Sequence, residues 1–427
     1  MSTQRGGIRL NERQLKFLFF VLCAAFIANL LGYAFIVPIL PSWKTQFALN
    51  NTQATALVSL WAVPLFLLGP MTGRVVDRFG AMPIIFISLV LLTITSLLYL
   101  VAVQEKYGSG FYLLAIARLL HGLAGASIMT AGFSLASELW PLKFGETSGQ
   151  LIGIAVIGGL LGPVIGGITF AYSPTLAFLT LAAVPALVSP LAFISMRTVK
   201  HHQSKAGPTS TISIMAFIKE PMLFRIGMLV VLATLATGAL EAGVPLLLQE
   251  ALGLGSASIG LILLGLILFQ GLGGWFWGVK VDQKGPIRYM IWGWILVSIS
   301  LLVCGFVIWF VTGNQSVWIV VGVLAIFQFA IAATQVPMLP MIDTATNQLF
   351  GSGSAGLAFG AFGTAWAAGT ILGPLAIGPM LDLTNSWALT VSALTIPMVI
   401  GLWITIANKE MLTTCYQDEM NARLGDE

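Results

Sequence analysis

Charged side chains are scarce in this chain. Of its 427 residues only 8% are Asp, Glu, Lys or Arg, while 57% are hydrophobic, and the mean hydropathy is +0.94. A soluble globular domain carries about 25% charged residues, so the composition excludes that class of protein. The chain is therefore predicted to be a polytopic membrane protein.

Residues that bind metals or carry redox chemistry are also few. The three cysteines, Cys23, Cys304 and Cys415, are too scattered to indicate a disulfide or a zinc site. His201 and His202 stand in a basic polar stretch, where a histidine pair is more often solvated than metal-bound. The sequence contains no recognisable nucleophile–base constellation or phosphate-binding loop. We expect no metal site, no cofactor and no enzymatic activity.

Long apolar runs are what the chain has in abundance. About 20 apolar residues cross a bilayer as a helix, which satisfies every backbone polar group internally. The sequence predicts an all-α membrane protein with twelve transmembrane helices, spans 1 to 12. Their predicted bounds are 16–38, 53–72, 82–103, 110–137, 147–171, 175–196, 222–248, 256–277, 289–312, 317–342, 356–379 and 386–407. Span 1 is longer than a signal-peptide core, so we expect a retained helix.

Lysine and arginine are distributed unevenly between the two ends of these spans. With a cytoplasmic N-terminus, 17 of them fall in cytoplasmic segments, and only Lys44 and Lys106 fall on the other face. Such a bias orients membrane proteins with the positive loops inside, so both termini are predicted to be cytoplasmic. The formal charge of +4 then reflects topology, and we expect no nucleic-acid partner.

The two halves of the chain repeat each other. Gly73–Gly80 and Gly278–Gly285 both read Gly-x-x-x-Asp-x-x-Gly, at an offset of 205 residues, and Gly162-Pro163 recurs as Gly373-Pro374 at an offset of 211. Parallel repeats of this kind are typical of carriers that bind substrate between two halves near the membrane midplane.

The repeat divides the chain into two predicted six-helix bundles. The N-terminal bundle is predicted to cover residues 1–196 and the C-terminal bundle residues 221–408. A cytoplasmic linker, 197–220, joins them, and a cytoplasmic tail covers 409–427.

The repeated glycine motif predicts a tight polar turn after spans 2 and 8. Glycine permits a sharp reversal, and Asp77 or Asp282 could accept hydrogen bonds from a neighbouring helix N-terminus. Two interpretations remain: an ordinary polar turn, or a gate whose contacts break when the carrier switches state. The candidate gate residues here are Gly73, Asp77, Arg78, Gly80 and Asp282.

Span 5 carries a second glycine pattern. Its ending, Gly162-Pro163-x-x-Gly166-Gly167, follows further glycines at three- and four-residue spacing. This spacing predicts a flat face for close helix packing, and Pro163 permits a kink. Generic packing would explain the glycines alone, whereas the ordered ending indicates a hinge.

The few charges inside the spans are candidates for function, because charge in hydrocarbon is costly. Arg118 and His121 are one helical turn apart in span 4, and Glu241 lies deep in span 7. We predict that Arg118 and Glu241 form a pair in at least one state, which would suit proton coupling. A static ion pair is the alternative. His121 is predicted to be a proton relay, a substrate contact or a packing residue.

Pro337 and Pro340 predict a broken helix in span 10, ending near Asp343. Asp343 is either a second proton site or an interfacial anchor. Some polar and aromatic residues within the apolar spans should line a substrate cavity. The candidates are Asn29, Trp61, Gln270, Gln328, Gln335 and Trp366.

Together these motifs resemble the major facilitator superfamily along essentially the whole chain. Gly73–Gly80 resembles the loop between its helices 2 and 3, and Arg118-Leu-Leu-His-Gly122 resembles its helix 4 motif. Gly162-Pro163-x-x-Gly166-Gly167 resembles the motif of its proton antiporters. The stretch from Ala239 to Pro245 is similar to the branch of bacterial drug exporters and vesicular amine transporters. By that similarity Arg118, Glu241 and Asp343 would be coupling residues.

The chain departs from the vesicular amine carriers at the positions that would hold a cationic substrate. An acid of helix 1 is replaced by Asn29, and a lysine–aspartate pair by Trp61 and Gly363. A neutral, zwitterionic or anionic amphiphile, such as a metabolite or siderophore, is therefore as consistent with the sequence as a cationic drug. The long luminal loop of those carriers is missing, which favours a bacterial inner membrane protein.

The sequence favours a proton-coupled antiporter that exports a small organic molecule. A proton symporter that imports a nutrient is the main alternative, and a non-transporting receptor on the same fold is a third interpretation. The expected partners are the substrate, protons and the lipid bilayer, with the chain acting as a monomer.

Overall fold

The structure, a computed structural model, describes residues 11–105, 108–140, 143–198, 219–310, 316–350 and 355–414. These residues form helices and contain no strand. In chain order the helices are α1 Glu12–Phe35, α2 Leu40–Gln46, α3 Asn51–Ser59, α4 Ala62–Phe79, α5 Ala81–Gln104, α6 Gly110–Leu139, α7 Phe144–Tyr172, α8 Pro174–Thr198, α9 Pro221–Leu252, α10 Ser256–Lys284, α11 Pro286–Phe310, α12 Ser316–Gln335, α13 Met338–Phe350, α14 Ala355–Thr384, α15 Trp387–Ala393 and α16 Thr395–Ala407. A 3₁₀ turn, Val37–Ile39, joins α1 to α2. His201, His202 and Cys415 lie outside the described residues.

The helices confirm an all-α membrane protein of twelve spans in two pseudo-symmetric six-helix bundles. Within the described ranges, eleven helical segments are long and apolar enough to cross a membrane, and α3 with α4 forms a twelfth, bent by 48°. Many large apolar side chains on the helix surfaces are exposed, among them Trp403 and Leu187. Such exposure is expected where hydrocarbon replaces water as the solvent.

Contacts between the helices divide the chain into two compact units. Unit 1 contains residues 1–49, 60–207 and 255–261, and unit 2 contains 50–59, 208–254 and 262–427. Helix α3 therefore packs with unit 2, although both its sequence neighbours pack with unit 1. The first residues of α10 pack with unit 1 in the same manner.

The repeat seen in the sequence recurs in the packing within each unit. In unit 1, α1 packs on α7, and α5 packs on both α6 and α8. In unit 2, α9 packs on α14, and α11 packs on α12, α15 and α16. Spans 1, 3, 4, 5 and 6 thus have the same neighbours in their unit as spans 7, 9, 10, 11 and 12 have in theirs.

Helix α1 begins at Glu12, four residues before its predicted start. Asn11 accepts a hydrogen bond from the Gln14 backbone N–H at 2.8 Å, and Gln14 accepts one from the Asn11 N–H at 2.9 Å. This reciprocal cap satisfies two N–H groups that a helix start would otherwise leave unbonded. The polar residues before the apolar run are therefore helical too.

The predicted close packing of span 5 is confirmed. Gly158, Gly162 and Gly166 face the backbone of α1, where a Cβ would collide with carbonyl oxygens of Ile27, Leu31 and Phe35. Unit 2 repeats this contact, because Gly369 and Gly373 of α14 face the backbone of α9. Pro163 lies inside a helix that continues through it.

Span 2, predicted as residues 53–72, consists of two helical pieces. Helix α3 ends at Ser59 and α4 begins at Ala62. Pro64 has no N–H to donate to the carbonyl of Leu60, which removes one helical hydrogen bond at this point. The two pieces also have different partners, since α3 packs on α14 and α4 packs on α6.

The broken helix predicted in span 10 is confirmed. Helix α12 ends at Gln335, and α13 begins after Pro337.

Replacing Gly162 by alanine should destabilise the protein. The new Cβ would lie 2.6 Å from the Leu31 carbonyl oxygen and 3.0 Å from the Phe35 nitrogen, both backbone atoms that cannot rotate away. We expect a loss of about 1–3 kcal/mol, the usual cost of overpacking, measured as a lower unfolding temperature in detergent.

Gly153→Ala on the same helix is the matched control. Among the described atoms none lies within 4 Å of its Cβ position, and alanine favours a helix over glycine by up to about 1 kcal/mol. Equal unfolding temperatures for the two variants would contradict the close contact of α7 with α1.

Candidate functional site

Arg118 is the centre of a polar and aromatic cluster in unit 1. It lies on α6 and is 0% exposed. Its guanidinium carbon is 5.5 Å from the centre of the Tyr33 ring, and that ring is 4.3 Å from the Trp61 ring. Tyr99 of α5 lies within electrostatic reach of the same guanidinium. The faces of aromatic rings attract a cation, and this attraction is stronger where water is excluded.

His121 lies one turn further along α6, and the prediction that it shares a face with Arg118 is confirmed. It is also buried, and its Nε2 is 3.5 Å from the carbonyl oxygen of Asn29 on α1. Gly32 provides the space for the ring, because a Cβ there would lie 2.6 Å from His121 Cε1. Gly125 likewise leaves room for the Asn29 side-chain oxygen.

Two helices, α1 and α6, and the break between α3 and α4 bring together four of the predicted site residues in unit 1. Asn29 comes from α1, Trp61 from the break between α3 and α4, and Arg118 and His121 from α6. Gly122 of α6 faces the Trp61 carbonyl so closely that a side chain there would collide with it. The arrangement brings a guanidinium, an imidazole and an amide beside aromatic surface. Tyr33 and Tyr99 belong to it as well, although no sequence pattern distinguished them from packing residues.

In unit 2, two of the predicted cavity residues bond to each other. The Gln270 side-chain nitrogen on α10 donates to the Gln335 oxygen on α12 at 3.0 Å. This hydrogen bond joins the helix of span 8 to the end of α12, just before the break at Pro337. Gln328 and Trp366 are half-buried on α12 and α14.

Glu241 is half-buried on α9, four residues before Pro245, which lies inside that helix. Asp343 lies on α13, beyond the break in span 10. Because Arg118 belongs to unit 1 and Glu241 to unit 2, their pairing stays a prediction.

The prediction that each glycine motif forms a polar turn along its whole length is wrong. Helix α4 continues through Phe79 and α10 through Lys284, so seven residues of each motif are helical. The chain reverses at the final glycines, Gly80 and Gly285, which have φ values of 87° and 80°. Glycine adopts this left-handed conformation without the steric cost that a side chain brings.

Both copies of the motif end in the same way. The Gly80 N–H donates to Val76 at 2.7 Å and the Gly285 N–H donates to Val281 at 2.8 Å. Asp77 and Arg78 are exposed on the last turn of α4, and Gly73 lies earlier on the same helix. For Asp282 the structure describes the backbone position on α10. The gate role of these residues stays a prediction.

A surface cavity of about 300 Å³ opens on unit 2, and its lining includes none of the predicted substrate residues. It lies where α10 ends and α11 begins, and its lining is aromatic and basic. The lining residues are Trp277, Lys284, Arg288, Tyr289, Trp292 and Leu296.

Asp382 is a polar residue of unit 2 that the sequence reasoning missed. It lies half-buried in the last turn of α14, where its carboxylate accepts hydrogen bonds from Asn51 and Thr52 at the start of α3. One signal in the sequence could have identified Asp382, because it is an acid at the end of a span in a chain with few acids. Its partner is some 330 residues away in sequence, and nothing in the pattern identified it.

Comparison with known proteins agrees with this architecture. A profile of the Major Facilitator Superfamily matches residues 22–374 and 226–412. The chain is 23% identical over 390 residues to Multidrug resistance protein 1 of Bacillus subtilis, covering 89% of this chain and 93% of that protein. It is 22% identical over 408 residues to the human MFS-type transporter SLC18B1, covering 92% of this chain and 85% of that protein.

Solved structures share the fold at low sequence identity. A bacterial homologue of the human lysosomal transporter Spinster superimposes with a TM-score of 0.76 at 11% identity, covering 94% of this chain and 98% of that one. A bacterial homologue of the iron transporter ferroportin gives a TM-score of 0.70 at 15% identity, covering 93% and 99%. With a family profile that covers most of its length and a helix packing that repeats in both bundles, this chain belongs to the major facilitator superfamily of membrane transporters.

Proposed function

We propose that the chain is a proton-coupled antiporter that exports a small organic molecule by alternating access. The observation that carries the direction of transport is the similarity to Multidrug resistance protein 1 over 89% of the chain. Multidrug resistance protein 2 of the same organism is also similar, at 22% identity over 94% of the chain. The proposed cargo is a drug, metabolite or siderophore, and the cycle includes no covalent step.

Ionisable groups within the spans support proton coupling. Arg118 and His121 are buried on α6 of unit 1, and Glu241 is half-buried on α9 of unit 2. In the proposed cycle a proton from outside binds a carboxylate oxygen of Glu241 and is later released to the cytoplasm. Binding neutralises the carboxylate and removes its attraction for a cation, which changes the relative stability of the two states. Asp343 would be a second proton site.

The surroundings of Arg118 support a particular class of substrate. Tyr33 and Trp61 offer aromatic surface, while Asn29 and His121 offer amide and imidazole groups. We propose a neutral, zwitterionic or anionic amphiphile, whose apolar part would contact the rings and whose polar part would bond to the amide and imidazole groups.

The distribution of basic residues supports the proposed orientation. By the positive-inside rule, the strong excess of Lys and Arg at one end of the spans supports a cytoplasmic position for both termini. We place the chain in a bacterial inner membrane and expect it to act as a monomer.

Reconstituted protein tests the proposal directly. Proteoliposomes that contain a pH-sensitive dye should be given carboxylate metabolites, zwitterions and amphiphilic amines under an imposed proton gradient. We expect proton movement opposite to the substrate, with the carboxylates and zwitterions preferred. Proton and substrate movement in the same direction would establish symport, and coupled transport of amines alone would overturn the substrate class.

Glu241→Gln tests the proton site. Glutamine keeps the size and polarity of the side chain but does not take up the proton. We expect transport driven by the proton gradient to fall by about 5- to 150-fold, the range of typical coupling free energies, while substrate-for-substrate exchange continues. Glu250→Gln removes an exposed acid from the same helix and should leave both activities unchanged. If driven transport survives in Glu241→Gln and exchange is lost, Glu241 has been assigned wrongly.

Tyr33 provides a test of the Arg118 cluster. Tyr33→Phe keeps the ring beside the guanidinium, whereas Tyr33→Leu removes it. We expect Tyr33→Leu to be less stable than Tyr33→Phe by about 2 kcal/mol, the strength of a desolvated cation–π contact. Thermal unfolding in detergent measures the difference, and substrate affinity should decrease in the same order. Identical behaviour of the two variants would show that the ring face does not stabilise Arg118.

A further inference from the structure

Helix α3 is held on α14 by one carboxylate. Asp382 Oδ1 accepts from the Asn51 N–H at 3.0 Å and from its side-chain nitrogen at 2.8 Å. Asp382 Oδ2 accepts from the Thr52 N–H at 2.9 Å and from its hydroxyl at 2.6 Å. Both oxygens thus bond to the first turn of α3, where backbone N–H groups have no partner within their own helix. A negative charge at a helix N-terminus is further favoured by the helix dipole.

The contact extends along α3 beyond the carboxylate. The Ser59 hydroxyl, at the far end of α3, donates to the Ile371 carbonyl of α14 at 2.9 Å. Between these two ends, Gly378 has no side chain and lies against the backbone of Thr52 and the hydroxyl of Thr55. The whole length of α3 therefore fits along α14, with Asp382 bonded to its first turn.

A related contact, in which no acid takes part, joins the start of α10 to α7. In unit 1 the Ser256 hydroxyl at the start of α10 donates to the Gly167 carbonyl of α7 at 3.0 Å. The offset of 205 residues relates Ser256 to Asn51, and the offset of 211 relates Gly167 to Gly378. The same offset relates Asp382 to Ala171, which cannot accept a hydrogen bond through its side chain. The glycine contact is shared by the two copies, and the charged cap belongs to α14 alone.

The position of α3 in the chain makes this cap relevant to transport. Residues 50–59 pack with unit 2, whereas the described residues on either side, 11–49 and 60–198, pack with unit 1. The helix is interrupted directly after this segment, at the 48° bend before α4. A short helix bounded by a break can leave its partner as a unit.

We propose that Asp382 is a positioning residue of the transport cycle, which holds α3 on α14 in one state and releases it in the other. This inference rests on the proposed function, because alternating access requires contacts on one face of the membrane to open while those on the other close. The four hydrogen bonds of the carboxylate form in the closed state of this face and are exchanged for water once per cycle. The strength of the cap then contributes to the balance between the two states.

Cysteine labelling tests the release of α3 directly. Thr55 is 1% exposed and faces α14, so a cysteine at this position reports whether α3 is in place. Cys23, Cys304 and Cys415 are first replaced by alanine in the full-length protein, and Thr55→Cys is introduced. After reconstitution, the rate of reaction with a membrane-impermeant maleimide is measured.

Asp382→Asn should increase this rate about fivefold, the effect that losing a typical side-chain helix cap has on an equilibrium constant. Thr52→Val removes one donor from the opposite side of the contact and should increase the rate less. Glu250→Gln removes an acid that bonds to Trp387 elsewhere in unit 2, and it should leave the rate unchanged. Size-exclusion chromatography selects folded protein, and Thr52→Val tests the contact if Asp382→Asn does not fold.

An unchanged labelling rate in folded Asp382→Asn and Thr52→Val would overturn the positioning role. A purely structural cap would lower the unfolding temperature without exposing position 55. The labelling experiment needs neither substrate nor a proton gradient, so its outcome can be distinguished from that of the transport experiment. Faster labelling without any proton-coupled transport would overturn the antiport proposal and keep the role of Asp382. Proton-coupled transport with an unchanged labelling rate would keep the antiport proposal and overturn the role of Asp382.

Discussion

Among the described residues, a row of glycines lets one helix lie against the backbone of another in both bundles, α7 on α1 and α14 on α9. In hydrocarbon, apolar side chains gain little by leaving the solvent, so helix association depends on packing. Gly162 and Gly373 allow the backbones to touch, and any side chain there would collide with the partner helix. The same helices use a second glycine, Gly167 on α7 and Gly378 on α14, to contact the start of α10 or α3. Each of these two helices thus packs against two partners.

The interruptions in the helices divide the spans where successive pieces have different partners. Pro64 follows the break that separates α3, packed on α14, from α4, packed on α6. Pro337 lies between α12 and α13. Pro163 and Pro245, in contrast, lie inside continuous helices, each packed along its length on a close neighbour. A proline lowers the stability of a helix locally, but the packing decides whether the helix breaks.

The two charged groups that are best defined by their contacts have different surroundings. Arg118 is fully buried, and its guanidinium lies beside the Tyr33 ring. Asp382 bonds through both oxygens to a helix start. Its counterpart in the other repeat, Ala171, carries no charge and cannot make the same contact. The pseudo-symmetry of the backbone therefore does not extend to this charged group, which is expected if gating is assigned to a particular helix.

The sequence by itself determined the class of protein, the twelve spans, the repeat and the residues most costly to bury. Hydrophobic length and the need to satisfy backbone polar groups act locally, so they can be read from consecutive residues. The glycine spacing in span 5 and the helical turn between Arg118 and His121 are local in the same sense. Only the tertiary structure decided that the glycine motif is helical from Gly73 to Phe79, that span 2 bends before Pro64, and that Asp382 caps α3. These features depend on contacts between residues far apart in the chain, and no local pattern specifies which residues will meet.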